Sequence, residues 1–257
     1  MASNEGVVTT AATPPATVAQ LSIPTLLALH LVPGALVTAG FVAFAPAMEA
    51  VGFPPIAALL AAIAFILVPV ELGIVLWAGR GHGARLAAVP YRRPMHARDW
   101  LWLVPTLIVL AFLGFGIHML IEPQLIERFF GWMPAWFVKP IDPDLVRDYA
   151  SGAWIVTIAA FFALNGLIGP IVEELYFRGY LLPRMERLGR WAPLVNVSLF
   201  SLYHFWSPWE IVARILGLGP TVYAVRWKRN IYLGMAVHCG LNTLSVLIVV
   251  MLVFGRL

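Results

Sequence analysis

The sequence predicts an all-α fold, a polytopic transmembrane bundle of seven to eight helices. Three observations predict it. The chain is 61% hydrophobic and only 12% charged, with a mean hydropathy of +0.85, far above a soluble domain. Apolar stretches of about 20 residues recur, each long enough to cross a hydrocarbon core of ~30 Å. Arginine gathers in short segments between those stretches, where topology signals belong.

The elements follow in order. Residues 1–24 are rich in Thr, Ala and Pro and carry Glu5 as their only charged side chain, so they read as a disordered tail. They lack the basic start of a secretory signal peptide. A single membrane domain is expected over 25–257, with no second folded domain. Its spans fall at 25–45, 56–78, 101–121, 152–182, 192–206, 208–224 and 230–253. The fourth is too long for a simple crossing and contains Gly169-Pro170. Proline removes a backbone donor, so a break into two pieces is expected there, with Glu173 one turn beyond it. An eighth helix results if one piece is re-entrant or interfacial. Trp206-Ser207-Pro208-Trp209 reads as a tight interfacial turn with aromatic anchors.

Charge orients the bundle. Arg80, Arg85, Arg92, Arg93 and Arg98 form one basic segment, Arg184, Arg187 and Arg190 a second, and Arg226, Lys228 and Arg229 a third. The positive-inside rule puts all three in the cytoplasm. The segment 122–150, with Glu122, Glu127, Asp142, Asp144 and Asp148, is then outside. The net charge of +4 is read as topology and lipid head-group contact, not as a nucleic-acid footprint. The expected location is a bacterial-type plasma membrane. The single Cys239 excludes an internal disulfide and a cysteine metal cluster, and reads as a small apolar filler.

The chemistry-bearing residues stand out against this background. Glu173 and Glu174 lie in a membrane-grade stretch, where each charge costs about 2.5 to 3.5 kcal/mol. Glu174 and Arg178 share a helix face at the favourable i,i+4 order. Glu173 is rotated by about 100° and faces elsewhere. That division makes Glu174–Arg178 structural support and Glu173 the chemical group. The plain alternative is a solvated pair at a helix end. His204 follows Phe200 by four, and its plain alternative is a hydrogen-bonded core residue. His238 and Asn242 also share a face and could donate towards one point, as an oxyanion site needs. Their plain alternative is an interhelical polar contact. His30 and His118 read as core residues, His82 and His96 as solvated loop residues.

Glu173-Glu174-Leu-Tyr-Phe-Arg178, Phe200-Ser-Leu-Tyr-His204 and His238-Cys-Gly-Leu-Asn242 occur in that order, each in an apolar stretch. The combination resembles the family of type II CAAX prenyl endopeptidases and bacteriocin-processing proteins, the glutamate intramembrane proteases. The resemblance covers about 151–253, and residues 1–150 match nothing. It implies an intramembrane endopeptidase acting on hydrophobic or lipidated peptides. Glu173 with His204 would activate a water, and His238 with Asn242 would stabilise the tetrahedral oxyanion. Those four side chains are expected to converge in a cavity open to the cytoplasmic side.

No cofactor is expected. The alternative is zinc held by Glu173, His204 and His238, a three-ligand set with an open position. A His-Glu-x-x-His helix is absent. Asp99, Asp142, Asp144 and Asp148 fall outside the spans or at an edge, against a two-aspartate mechanism. Ser201 lacks a glycine-flanked nucleophile setting. A competing class is non-enzymatic: a proton-coupled transporter, or a membrane protein that only binds such peptides, using the same polar cluster. Confinement of that cluster to the C-terminal half favours the protease.

Overall fold

The computed structural model describes residues 18–80, 86 and 88–255. Most of the expected tail, and Arg85 and His82, therefore lie outside the described residues. The chain from 18 onward is already engaged: Gln20 Nε2 donates to the Pro183 carbonyl at 3.1 Å, and Ser22 caps the first helix by accepting from Thr25 N.

Long helices dominate. They are α1 (Ile23–Ala50), α2 (Ile56–Ala78), α3 (Ala97–Met119), α4 (151–181), α5 (Ala192–Tyr203), α6 (Ile211–Lys228) and α7 (Ile231–Phe254). Among the described residues the only strand-like pairing is an isolated bridge between Arg92 and Asn230. Five runs are long and apolar enough to cross a membrane: α1, α2, α3, the continuous Ser151–Tyr203 and α7. The chain is thus a multi-pass integral membrane protein. The 12-residue α5 belongs to the long run, and α6 carries Arg214, Arg226 and Lys228, so length and apolarity single out five such runs, the 53-residue one holding both α4 and α5.

The expected break at Gly169-Pro170 does not occur. The helix widens to a π-helical turn over Phe161–Ile168, and the Gly169 N–H reaches back five residues to the Leu164 carbonyl. Pro170, which has no N–H to offer, falls where the bonding register has shifted, so the helix passes through it. A second wide turn covers Glu174–Leu181. The real corner comes later. Leu182–Trp191 winds tightly, and Gly189, at φ 55°, turns the chain into α5.

The three basic segments meet at one end of the bundle. Tyr91 OH donates to Glu186 Oε1 at 2.5 Å, and Arg226 donates to Glu186 Oε2 at 2.6 Å. Lys228 donates to Asp99 at 2.9 Å, and Arg184 to the Ala88 carbonyl at 3.1 Å. Burial, then the bond to Glu186, pushes the Tyr91 phenol up. At the opposite end Ile56 N donates to the Pro140 carbonyl, and Trp154 Nε1 to the Val146 carbonyl. Trp209 also lies there. It is buried edge-on against Phe130, 5.8 Å between ring centres, and so is no interfacial anchor.

Candidate active site

Three helices, α4, α5 and α7, bring the site together. Glu173 and Glu174 sit where α4 passes from α-helical to π-helical winding, which projects two neighbouring carboxylates in different directions. His204 caps the end of α5, and His238 lies two turns into α7, whose start is fixed by Asn230 accepting from Leu233 N at 3.1 Å. Glu173, Glu174, Arg178, His204 and His238 are all buried. The site is therefore closed in this structure, not open to the cytoplasmic side as the sequence led us to expect.

Glu173 stands between the two histidines. Its Oε1 lies 3.8 Å from His204 Nε2, and its Oε2 lies 3.8 Å from His238 Nε2. Backbone and side-chain partners set both rings. His204 Nδ1 meets the Phe200 carbonyl at 2.8 Å. A carbonyl only accepts, so Nδ1 carries the hydrogen and Nε2 offers a lone pair towards Glu173. His238 Nδ1 meets Glu174 Oε1 at 3.2 Å. Arg178 Nη1 lies 3.4 Å from the same oxygen, both side chains being almost wholly buried. Glu174 is thus shared between its own helix and α7, which the i,i+4 reading of Glu174–Arg178 did not contain.

Phe200 is the floor under these groups. The Arg178 guanidinium stacks on its ring at 4.0 Å, and the rings of His204 and His238 stand edge-on to it at 4.7 and 6.0 Å. The Phe-x-x-x-His spacing therefore supplies both a platform and a ligand to the ring above it. Asn242 is tied to α4. Its Nδ2 donates to the Asn165 carbonyl in the first wide turn of α4 at 2.8 Å, with one amide hydrogen left over.

Other expected residues fall into place by their contacts. His30 is a core residue: Nδ1 bonds the Leu26 carbonyl, and Asn196 spans from His30 Nε2 to the Phe177 carbonyl. His118 is buried beside Glu122, 3.9 Å away, and His96 is exposed. Cys239 is half-buried, with Sγ 3.8 Å from the Leu167 carbonyl.

Sequence reasoning missed four residues. Glu71, on α2, is fully buried and accepts from Tyr203 OH at 2.6 Å. This third buried carboxylate, beside Glu173 and Glu174, comes from the N-terminal half, so the polar cluster is not confined to the C-terminal half. Tyr203 itself packs its ring against His204, 5.0 Å between centres. Arg214 on α6 is buried, paired with Glu210 and hydrogen-bonded to Ser207, and its charge acts on Glu173. Gly234 on α7 makes room for Glu174: a Cβ there would overlap Oε2 and lie 3.0 Å from the carboxyl carbon.

The zinc alternative can be set against this geometry. Among the described residues no group of three or more His, Cys, Asp or Glu side chains is placed to hold a metal ion. At about 2.1 Å from zinc, two tetrahedral ligands stand about 3.4 Å apart. Here both imidazole–carboxylate separations are 3.8 Å, so the trio as placed does not fit an ion.

No curated protein and no solved structure matches the chain. The family model for the type II CAAX prenyl endopeptidases, Rce1-like, matches residues 155–244, the stretch that holds Glu173, Glu174, Arg178, His204, His238 and Asn242. Over that stretch the chain is similar to the Rce1-like family, which agrees with the resemblance read from its three motifs.

Proposed function

We propose that the protein is an intramembrane endopeptidase that cleaves hydrophobic or lipidated peptides with a water activated by Glu173 and His204. The observation that carries this reading is the pair of 3.8 Å gaps on either side of Glu173. Both exceed a direct hydrogen bond, and a polar gap of this size between two acceptors suits one bridging water. A water between Glu173 Oε1 and His204 Nε2 gives up its proton to one of them as it attacks the scissile carbonyl. The proton then goes to the leaving amine, and the peptide bond breaks.

Glu174 and Arg178 keep the helix and His238 in place. His238 faces the developing oxyanion from Nε2. With Nδ1–H turned to Glu174, that nitrogen donates only when the ring holds both protons. The remaining hydrogen of Asn242 Nδ2 supplies a second donor.

The membrane supplies the substrate laterally. An open groove of about 590 Å³, lined by Ala35, Thr38, Ala39, Val42 and Ala43 of α1, ends at Phe205, next to His204. It is apolar and faces the bilayer, which suits a hydrophobic chain. In the membrane we infer seven crossings, with α5 and α6 as the short pair and the three basic segments in the cytoplasm of a bacterial-type cell. Lipid is the other partner, and no cofactor takes part.

The test is direct. Purified protein in lipid vesicles is given an internally quenched peptide ending in a farnesylated Cys-aliphatic-aliphatic-X sequence, and the same peptide without the lipid. Release of the C-terminal tripeptide by the wild type, lost in Glu173→Gln, is the expected result. Binding of both peptides without release would leave the binding-only reading.

A further inference from the structure

We propose that Glu71 is a positioning residue of the site: it holds Tyr203, and through Tyr203 it sets the aim of the His204 imidazole at Glu173. The proposal rests on the hydrolytic reading above. Glu71 lies on α2, outside the stretch matched by the family, and no motif in the sequence contains it.

Glu71 is fully buried at membrane depth, and a carboxyl there needs a reason. Among the described residues it has no ion-pair partner. One oxygen, Oε1, accepts from Tyr203 OH at 2.6 Å, while Oε2 is buried without a hydrogen-bond partner. The whole polar engagement of Glu71 is thus with one phenol. A helix–helix contact at this place needs no carboxyl. A short bond from a phenol to a carboxyl oxygen is stronger and more directional than a packing contact.

Tyr203 is where that bond matters. It is the last residue of α5, and His204 is the residue at which the helix ends, with φ −77° and ψ 60°. The His204 ring keeps its tie to the last turn through the Phe200 carbonyl. Its direction therefore depends on how the end of α5 is held. Tyr203 is held at three points. Its hydroxyl is bonded to α2. Its carbonyl lies against Gly34 of α1, so close that a Cβ there would overlap it. Its ring stands against Phe177 at 5.0 Å and Trp206 at 5.3 Å. Of these contacts only the first is a directional polar bond to another helix, since the carbonyl accepts from the nearby Phe205 N, and Glu71 supplies it. Glu173, His204's target, is close enough for its charge to act on Glu71, so the anchor and the site share one buried region.

The test separates positioning from structural support. Tyr203→Phe removes the bond and keeps the ring; Glu71→Leu removes it from the other side. Each is expected to lower kcat by about 10- to 100-fold, the scale of a small misplacement of a reacting group, with KM nearly unchanged. The double variant is expected to be no worse than either single one, because both delete the same bond. Glu71→Gln, whose amide oxygen still accepts from Tyr203, is expected to recover most of the loss. Wild-type kcat in Tyr203→Phe would overturn the proposal. So would a Glu71→Gln as inactive as Glu71→Leu, which would make the carboxyl itself a reacting group. If Glu71→Leu does not fold, Tyr203→Phe and Glu71→Gln still decide.

A second readout is independent of hydrolysis. In detergent-solubilised protein with ¹³C-labelled histidine, the His204 ring signal, assigned with His204→Gln, is expected to move in Tyr203→Phe and to return towards its wild-type position in Glu71→Gln. An unmoved signal in Tyr203→Phe overturns the proposal. A wild type that cleaves nothing overturns the proposed function instead, and this signal still tests the link from Glu71 to His204.

Discussion

Glu174 Oε1 lies 3.2 Å from His238 Nδ1 while the same oxygen lies 3.4 Å from Arg178 Nη1. One carboxylate therefore neutralises a buried guanidinium on its own helix and orients an imidazole on another. The neighbouring Glu173 makes neither contact and faces the two Nε2 atoms instead. Unequal roles for two adjacent, equally buried glutamates follow from this geometry, and they can be separated by removing one charge at a time.

Glu173→Gln is expected to fold normally and to lose about 100- to 10,000-fold in turnover, the contribution of a positioned general base. Glu174→Gln is expected to cost about 3 to 5 kcal/mol of stability, because Arg178 is left as an uncompensated buried charge. It also weakens the hold on His238, so the folded fraction should be slower than wild type. Detergent melting curves and peptide cleavage for both variants check this. Full activity in Glu173→Gln would end the assignment of the base.

Gly234 offers a second test of the same carboxylate, without changing any charge. A methyl group at that position would overlap Glu174 Oε2. The carboxylate must then move, and with it the partner of His238. Gly234→Ala is expected to reduce kcat by about 10-fold or more, since small displacements of reacting groups carry large rate costs. Gly116→Ala on α3 is the control: nothing lies within 4 Å of a Cβ there. It should leave activity intact and, as a Gly→Ala change in the last turn of the helix, raise stability by at most about 0.5 to 1 kcal/mol. Equal behaviour of the two variants would show that the close approach at Gly234 carries no function.

What the sequence makes legible here is what lies within one helix. The Glu174–Arg178 pair and the seating of His204 over Phe200 are four-residue relations, the different face taken by Glu173 follows from its being one residue earlier, and each can be seen before any fold is known. The break expected at Pro170 does not form, because a proline's missing donor breaks a helix only while the bonding register stays fixed, and here the register widens one turn earlier. Glu71 could not be read as part of the site. Its partner Tyr203 is 132 positions away, and nothing apolar around it marks which helix it will meet. The same holds for Gly234, whose importance is a single contact with Glu174. The signal that would have found Glu71 is part of the one that found Glu173 and Glu174: a carboxyl in the middle of an apolar span.

The last prediction concerns metal. Catalysis is expected to continue after exhaustive chelation, with metal well below one equivalent in active protein. The orientation of the histidines does not argue for this. Metal-binding imidazoles usually donate their second N–H to a carboxylate or a backbone carbonyl, and here Glu174 faces His238 Nδ1 while the Phe200 carbonyl faces His204 Nδ1. A carboxylate behind His238 was not expected from the sequence, so that ground for a metal-free site falls away. The stronger argument is charge. Arg178 and Arg214 are both buried and both act on Glu173. A divalent cation at the focus of Glu173, His204 and His238 would be repelled by two guanidinium groups, while Glu174 is already engaged by one of them. The carboxylate and two imidazoles would also have to close from 3.8 Å to about 3.4 Å to surround it. A water needs no such contraction and adds no charge. Elemental analysis of purified protein, paired with cleavage rates before and after chelation, decides the matter. Stoichiometric zinc, with activity lost on chelation and restored by zinc, would place the ion on Glu173, His204 and His238 and would leave the protease reading in force.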